Sequence, residues 1–356
     1  MELMGGSLFG ERFQLISFGE SHGVGLGVVI DGCPSEVVFD EALLKKELER
    51  RRPGQRVNNV SIVSDRQELD SPEILSGVYQ GKTLGTPIAM FVRNIDARSQ
   101  DYKEIAQKPR PGHADDTWKM KFGHTDPRGG GRSSGRETLA RVMGGAVAKM
   151  FLHQCFPTIQ IIAYAKQIGP LRLTPEECQE IETKITSPYE VDNFSSRCPH
   201  AIMNSKIEEL LIKAKQEGRS YGGEVIVLIK NPPPGLGQPV FHKLKADLAS
   251  AFMSLGATAG VELGAGHEAT AAEGSQFHQQ QNQAHYGGIR GGISTGETIQ
   301  FKVFFKPTAT VLDTAKKGRH DPCIIPRAIP VLEAMAQMVL VDHILWQRQD
   351  RATFIR

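Results

Sequence analysis

Residues 327–346, RAIPVLEAMAQMVLVDHILW, are apolar almost all round a helix. A helix without a polar face has to be enclosed by the rest of the protein. This segment is therefore expected as a buried core helix. No apolar run in the chain reaches the length that a bilayer span requires.

The rest of the chain supplies the elements around it. Residues 13–18 and 25–31 read as strands joined by SFGESHG, and Gly32-Cys33-Pro34 stops the second. Asp40 then caps an amphipathic helix that turns Leu43, Leu44 and Leu48 inward and ends in RRRPG at Pro53. Strands are expected over 60–63, 74–79, 87–93, 159–168, 223–230 and 298–306. Helices are expected to start at the Thr174-Pro175-Glu176-Glu177 capping box, to run over 202–216 to Gly218, and to cover 242–255. The glutamine-rich stretch 273–288 is expected as a mobile flap. Short glycine turns, more than helices, join successive strands, which favours antiparallel sheets and an α+β class over a doubly wound fold.

A faint internal repeat runs through this pattern. Val38-Phe39-Asp40 before Leu43 matches Val240-Phe241-His242 before Leu244. Gly81 and Gly85 before Ile88 match Gly292 and Gly296 before Ile299. A loop with His113 and a loop with His320 each precede a long helix, and all three offsets are about 200 residues. The expected organisation is one domain over 1–356, with two similar α+β halves at roughly 1–155 and 220–350.

Residues 110–137, RPGHADDTWKMKFGHTDPRGGGRSSGRE, show almost no hydrophobic periodicity. A loop this long in a compact domain is functional or disordered. Here it ends in a helix start, an S-x-x-E box from Ser134 to Glu137. Leu139, Val142, Met143, Ala146, Val147 and Met150 then fall on one helical face. Such an N-terminus offers free N–H groups to an anion, and glycines 129–131 let backbone approach a ligand.

The formal net charge of +2 does not argue for nucleic acid. Arginines nonetheless cluster in glycine-rich places, at 50–56, 128–136 and 319, which suits bound small anions. An RNA-binding module using the same arginines is the alternative, and few aromatics stand there for base stacking. GVYQGKT at 77–83 is one residue short of a phosphate loop and reads as strand–turn–strand. GVGLG at 23–27 lacks the third dinucleotide glycine and precedes a strand. The five cysteines make no C-x-x-C pair or zinc spacing and fit reduced thiols; no signal peptide opens the chain, so a cytoplasmic protein is expected.

Three histidines stand out by setting: His22 in GESHG, His113 in RPGHAD and His320 in GRHDP. Histidine donates and accepts protons near neutral pH, and guanidinium groups hold anionic ligands bidentately. With Arg51, Arg56 and Arg132 they point to a phosphorylated or carboxylated ligand. Lys306-Pro307-Thr308-Ala309-Thr310 suits a further phosphate; an ordinary turn is the other reading.

The chain resembles the chorismate synthase family. The matching stretches are SFGESHG (17–23), RRRPG (50–54), SGVYQGKTLGTPI (76–88), RSQDY (98–102), RPGHAD (110–115), GGGRSSGRET (129–138), GGIRGGISTGE (287–297), KPTAT (306–310) and GRHDPC (318–323), in the family's order. The GATAG segment at 256–260 and the glutamine-rich stretch follow the family less closely. The resemblance implies helices packed between antiparallel sheets with internal pseudo-two-fold symmetry, and a cytoplasmic homotetramer. It implies a 1,4-anti elimination of phosphate from 5-enolpyruvylshikimate 3-phosphate to give chorismate. The reaction requires reduced FMN without net redox, with NADPH as electron source directly or through a separate flavin reductase. No metal, membrane or nucleic acid is implied. By the same resemblance, His22 would protonate the departing phosphate, His113 would stabilise the anionic reduced flavin, and Asp321 would help move a proton from the flavin N5 region. Arg51 and Arg56 would serve the substrate and NADP pocket. Arg132, Ser133, Ser134, Gly256, Ala257, Gly291, Lys306, Pro307, Thr308, Ala309, Thr310 and Arg319 would contact FMN. A flavin oxidoreductase with net redox chemistry is the other enzymatic reading, and product analysis separates the two.

Overall fold

A computed structural model describes residues 5–53, 62, 70–94, 112, 114–126, 128–279, 284–309 and 321–352. The chain begins with β1 (Leu8–Phe9), β2 (Gln14–Phe18) and β3 (Gly25–Asp31). Asp40 caps α1 (Glu41–Arg51) as expected, its carboxylate accepting from Leu43 N at 2.9 Å. The strand expected over 74–79 is two short ones, β4 (Glu73–Ile74) and β5 (Val78–Tyr79). Gly77 separates them with a φ of +81°, and a Cβ there would stand 2.6 Å from Ile88 Cα. β5 forms a hairpin with β6 (Lys82–Thr83), and β7 (Ile88–Arg93) follows. The strand expected over 60–63 lies, Ile62 apart, outside the described residues. α2 (Asp115–Phe122) and α3 (Thr138–Cys155) complete this part. The strands make one antiparallel sheet in the order β1-β2-β3-β7-β4.

The second part runs β8 (Gln160–Ile168), β9 (Leu171–Arg172), α4 (Pro175–Lys184), α5 (Pro188–Val191), α6 (Ala201–Glu217), β10 (Gly223–Lys230) and α7 (Leu244–Met253). It continues through β11 (Thr258–Leu263), α8 (Gly274–Phe277), β12 (Ile289–Arg290), β13 (Ile293–Ser294), β14 (Ile299–Phe305) and α9 (Ile325–Gln347). The Thr174–Glu177 capping box closes in both directions, at 3.2 and 2.8 Å. Where a flap is expected, Glu273 caps α8, and Phe277, His278, His285 and Tyr286 pack as a ring cluster. The second antiparallel sheet has the order β11-β14-β10-β8-β9. Read from its β9 edge, its strands take the positions of β1, β2, β3, β7 and β4 in turn. It draws β8 and β9 from before residue 220, where the sequence pattern starts the second half.

The helices lie between these sheets. α3 packs on β2 and β3, α9 packs on β8 and β10, and the two helices pack on each other, with α1 and α7 beside them. Glycine permits the closest approach: a Cβ on Gly145 would lie 2.3 Å from Ala334 Cβ, and one on Gly144 would lie 2.1 Å from Leu15 Cδ1. The expected apolar face of α3 is buried throughout. α9 corrects one expectation: it is long and apolar enough to cross a membrane by length and composition. It is nevertheless a core helix, with 94% of its most apolar window buried. Asp342 on α9 accepts from the backbone N–H groups of Arg12 at 2.5 Å and Phe13 at 2.7 Å, fixing the entry to β2.

A buried ion network ties the layers. Arg50 donates to Glu47 at 2.8 Å, to Glu333 at 2.6 Å and to Asp192 at 2.7 Å. Lys149 donates to Glu47 at 2.7 Å, and the other oxygen of Glu333 accepts from Ala163 N at 2.9 Å. Arg50 therefore serves the core, although the arginine clustering groups it with anion-binding residues. Burial alone would raise the Glu47 carboxyl, but the charges of Arg50 and Lys149 outweigh it and hold it at about 2.

Two outcomes are expected. Gly145→Val must push α3 off α9 and should cost about 1–3 kcal/mol or more, read as a lower urea midpoint at unchanged slope. Glu47→Gln leaves two buried cations short of a partner and should cost about 3–5 kcal/mol at neutral pH. The folded pKa of Glu47 is depressed, so its contribution is complete above the ordinary value of 4.5 and fades as pH falls toward about 2. The stability gap between wild type and Glu47→Gln, followed by urea unfolding, should narrow over that window.

Candidate active site

The His22 turn joins β2 to β3. Gly19 closes it with a φ of +92°, and a Cβ there would stand 2.2 Å from Gly25 O. Ser21 Oγ lies 3.1 Å from His22 Nδ1 and 3.4 Å from Arg128 O. Asn94 follows β7 directly. Its side-chain amide donates to the carbonyls of Glu20 and Ser21 at 3.2 Å and of Gly23 at 3.0 Å. Its backbone N–H donates to Val24 O at 3.0 Å. Asn94 stands in none of the motifs singled out from the sequence. The signal was the register: Gly25 pairs with Arg93, so the next residue along β7 faces the turn.

The polar stretch 110–137 is less of a loop than its composition suggests. α2 forms within it, with the rings of Trp118 and Phe122 in tilted contact one turn apart at 5.2 Å. Residues Arg128–Ser133 make a 3-10 helix. Arg128 grips Asp126 with two bonds of 2.8 Å. That grip holds the Asp126 carboxyl below its usual range, and nearby His22 adds to the effect. Arg132 reaches back to the His22 turn, donating to Gly19 O at 3.2 Å, Ser17 O at 3.3 Å and Ser17 Oγ at 2.5 Å. Ser133 Oγ donates to Gly130 O at 2.6 Å. Ser134 caps a short 3-10 turn, Gly135–Glu137, and accepts from Arg136 N. The expected S-x-x-E box does not close, because Glu137 pairs with Arg141 at 3.0 Å, within reach along α3. Arg141 also donates to Ser254 Oγ at 2.6 Å, which places the start of α3 against the turn leading to Gly256.

Behind the His22 turn lies a run of buried charges. Arg136 donates to Asn94 Oδ1 at 3.3 Å and to Asp70 Oδ1 at 2.6 Å. Asp70 Oδ2 stands 3.9 Å from Arg51, which is fully buried. Arg327 Nε is 3.5 Å from Arg51 O, and its NH1 donates to Asp321 at 2.5 Å. Thr308 Oγ1 donates to Asp321 O at 2.9 Å. Lys306 N donates to Ala257 O at 2.9 Å, and Lys306 Nζ donates to Gly112 O, in the RPGHAD motif, at 3.0 Å. Ala257 holds a φ of +71°. A Cβ on Gly256 would meet nothing within 4 Å.

The fold thus gathers His22, Arg132, Ser133 and Ser134 on one side and Arg51, Asp321, Gly256, Ala257 and Lys306 to Ala309 on the other. Asp70 and Asn94, neither of them singled out from the sequence, join the sides together with Arg136 of the 128–136 cluster. Gly291 stands apart. Its hairpin packs against Leu244 and precedes β14, whereas Lys306 follows β14. Seven residues of strand put roughly 20 Å between those ends. Arg56, His113, Thr310, Arg319 and His320 lie outside the described residues. A proton carrier, His22, and a carboxylate, Asp321, flank a cationic cluster, an arrangement that can bind a polyanionic small molecule and move protons at two points.

Comparisons with known proteins agree on one family. A family model described as chorismate synthase matches residues 13–345. A chorismate synthase of Bdellovibrio bacteriovorus is 60% identical over 348 residues, covering 98% of this chain and 100% of that protein. One of Gloeothece citriformis is 46% identical, covering 96% and 97%. A solved structure described as the crystal structure of chorismate synthase shares 30% identity with a TM-score of 0.74, covering 96% of this chain and 94% of that one.

Proposed function

The chain belongs to the chorismate synthase family, a family of lyases of aromatic amino-acid biosynthesis, and on that premise we propose how its residues carry the reaction. The reaction is the 1,4-anti elimination of phosphate from 5-enolpyruvylshikimate 3-phosphate: a C–H and a C–O bond break, chorismate forms, and phosphate leaves with the electron pair of the C–O bond. The observation that carries this reading is the convergence of the His22 turn and the Arg51–Asp70–Arg136 cluster. A substrate with two carboxylates and a phosphate needs several cations. Arg51 and Arg56 serve it, or a nicotinamide nucleotide beside it. His22 protonates the departing phosphate. Asp321, held by Arg327, receives and passes a proton at its carboxylate.

The family requires a reduced flavin, and the residues here fit one. Lys306 meets the Gly256–Ala257 turn where backbone is open, and Thr308 ties the same segment to Asp321. We assign Gly256, Ala257, Lys306, Pro307, Thr308, Ala309 and Thr310, with Arg319, to hold FMN. Arg132 and Ser133 donate to protein carbonyls, so with Ser134 their part is to shape the loop at the cofactor's edge. Gly291 is assigned by resemblance alone. When bound, the reduced flavin supplies the electron-rich partner that the elimination needs without net redox change. His113 holds charge beside it. NADPH is the source of electrons, directly or through a separate reductase.

Three wider readings have support of their own. The outer face of the first sheet leaves Ile16 at 45% and Phe18 at 41% exposure, next to the stacked ring of Phe91. An uncovered apolar patch of this kind marks an interaction surface, and we read it as a contact within a homotetramer. All five cysteines are free, four of them buried, which suits a reducing cytoplasm. The matching strand positions in the two sheets favour an internal duplication.

Anaerobic protein mixed with reduced FMN and 5-enolpyruvylshikimate 3-phosphate should release phosphate and chorismate in equal amounts. Absence of both from folded, FMN-bound protein would overturn the reading. His22→Ala and His113→Ala should each lose about 10²- to 10⁴-fold in rate while remaining folded; full turnover in either removes that histidine from the mechanism. Phe18→Asp should lower the mass seen by light scattering, and an unchanged mass would place the subunit contact elsewhere.

A further inference from the structure

Asn94 ties the His22 turn at four points, three through its side-chain amide and one through its backbone N–H. Its amide orientation follows from its partners. Arginine carries donors only, so the atom facing Arg136 Nε at 3.3 Å has to be the oxygen. The NH₂ group therefore faces the turn, where the carbonyls of Glu20, Ser21 and Gly23 all lie within 3.2 Å. Two N–H bonds serve three acceptors, so at least one is shared, and the three carbonyls are drawn toward one point. These carbonyls bracket His22 on both sides. The backbone N–H of Asn94 adds a fourth tie, to Val24 O at 3.0 Å. Behind the amide, Arg136 is anchored on Asp70 at 2.6 Å, and Asp70 stands beside Arg51. Arg136 and Asp70 are both buried, with side-chain exposures of 9% and 2%, so the backing of the amide is rigid.

We propose that Asn94 is the positioning residue for His22. Its amide gathers the carbonyls of the Glu20–Gly23 turn, and Arg136, braced on Asp70, sets the amide. The hydrogen bonds end at Asp70, whose other oxygen stands 3.9 Å from Arg51. This inference rests on His22 being the proton donor.

The consequence is kinetic. An acid displaced by about 1 Å loses on the order of 10²-fold in rate, while the groups that bind substrate are untouched. Asn94→Ala should therefore lower kcat by about 10- to 100-fold and leave KM within about threefold of wild type. The limb of the kcat–pH profile that follows His22 should shift. Asn94→Asp keeps the shape and the acceptor but sets a carboxylate against three carbonyls; it should lose at least as much, and it carries the test if Asn94→Ala is too unstable to assay. The decisive measurement is the double variant. If Asn94 acts through His22, adding Asn94→Ala to His22→Ala should change kcat by less than about twofold, because the group being positioned is gone. A further loss as large as the one seen in wild type would overturn the proposal and leave Asn94 a general structural residue. So would wild-type kcat in both folded single variants. Full activity in His22→Ala alone would instead sink the assignment of His22, a result separable from the behaviour of Asn94.

Discussion

The close approach of α3 to α9 at Gly145 and Ala334 sets a distance on which the other layers depend. Interiors are packed to the density of crystals, so a side chain at that point could not be absorbed locally. Gly144, the next residue, faces Leu15 of β2 and settles how near the first sheet comes to the same helix. Asp342 then fixes the start of β2 to α9 through backbone N–H groups. The site is built on this frame. Residues 128–137 run into the start of α3, residues 321–324 run into the start of α9, and the His22 turn hangs from β2 and β3.

Neighbouring arginines show how sharply the packing divides roles. Arg50 and Arg51 differ by one step, about 100° around α1. Arg50 turns inward to Glu47, Glu333 and Asp192. Arg51 turns to Asp70, and its backbone carbonyl accepts from Arg327 Nε. A buried charge is tolerated where it is paired and hydrogen-bonded. The first arginine meets that condition within the core. The second stands 3.9 Å from Asp70, on the side of the proposed anion pocket. Helix periodicity separates the two side chains, but only the tertiary partners show that the first belongs to the core.

The His22 turn makes the same point for hydrogen bonds. Within GESHG, Ser21 Oγ lies 3.1 Å from His22 Nδ1 and Gly23 N donates to Glu20 O, yet glycine-rich turns are conformationally permissive. Order comes from outside the motif: Arg132 from the 3-10 turn, Arg128 O from the same segment, and Asn94 from the end of β7. Each of these is far away in sequence: Asn94 comes near because β3 pairs with β7, and Arg128 and Arg132 because their segment leads into α3, which packs on β2 and β3.

Much was legible in the residues themselves. Short apolar runs between glycine and proline placed β3 and β10 to the residue, Asp40 and the Thr174–Glu177 box marked helix starts, and the all-apolar stretch at 327–346 had to be α9. These signals are local, carried by side-chain period and by caps that act within one turn. The family motifs likewise nominated histidines, arginines and Lys306 for the site without any coordinates, and their roles stand here as proposals. The sequence did not reveal that the stretch 110–137 folds into α2 and a 3-10 turn, that Glu137 prefers Arg141 to its cap, or that Asn94, Asp70 and Arg136 connect the two sides of the site. Those outcomes turn on contacts between segments tens to hundreds of residues apart. A residue's own neighbours in the chain decide its period and its cap; which carbonyls an amide meets, or which carboxylate an arginine finds, is decided only when the sheets close over the α3–α9 pair.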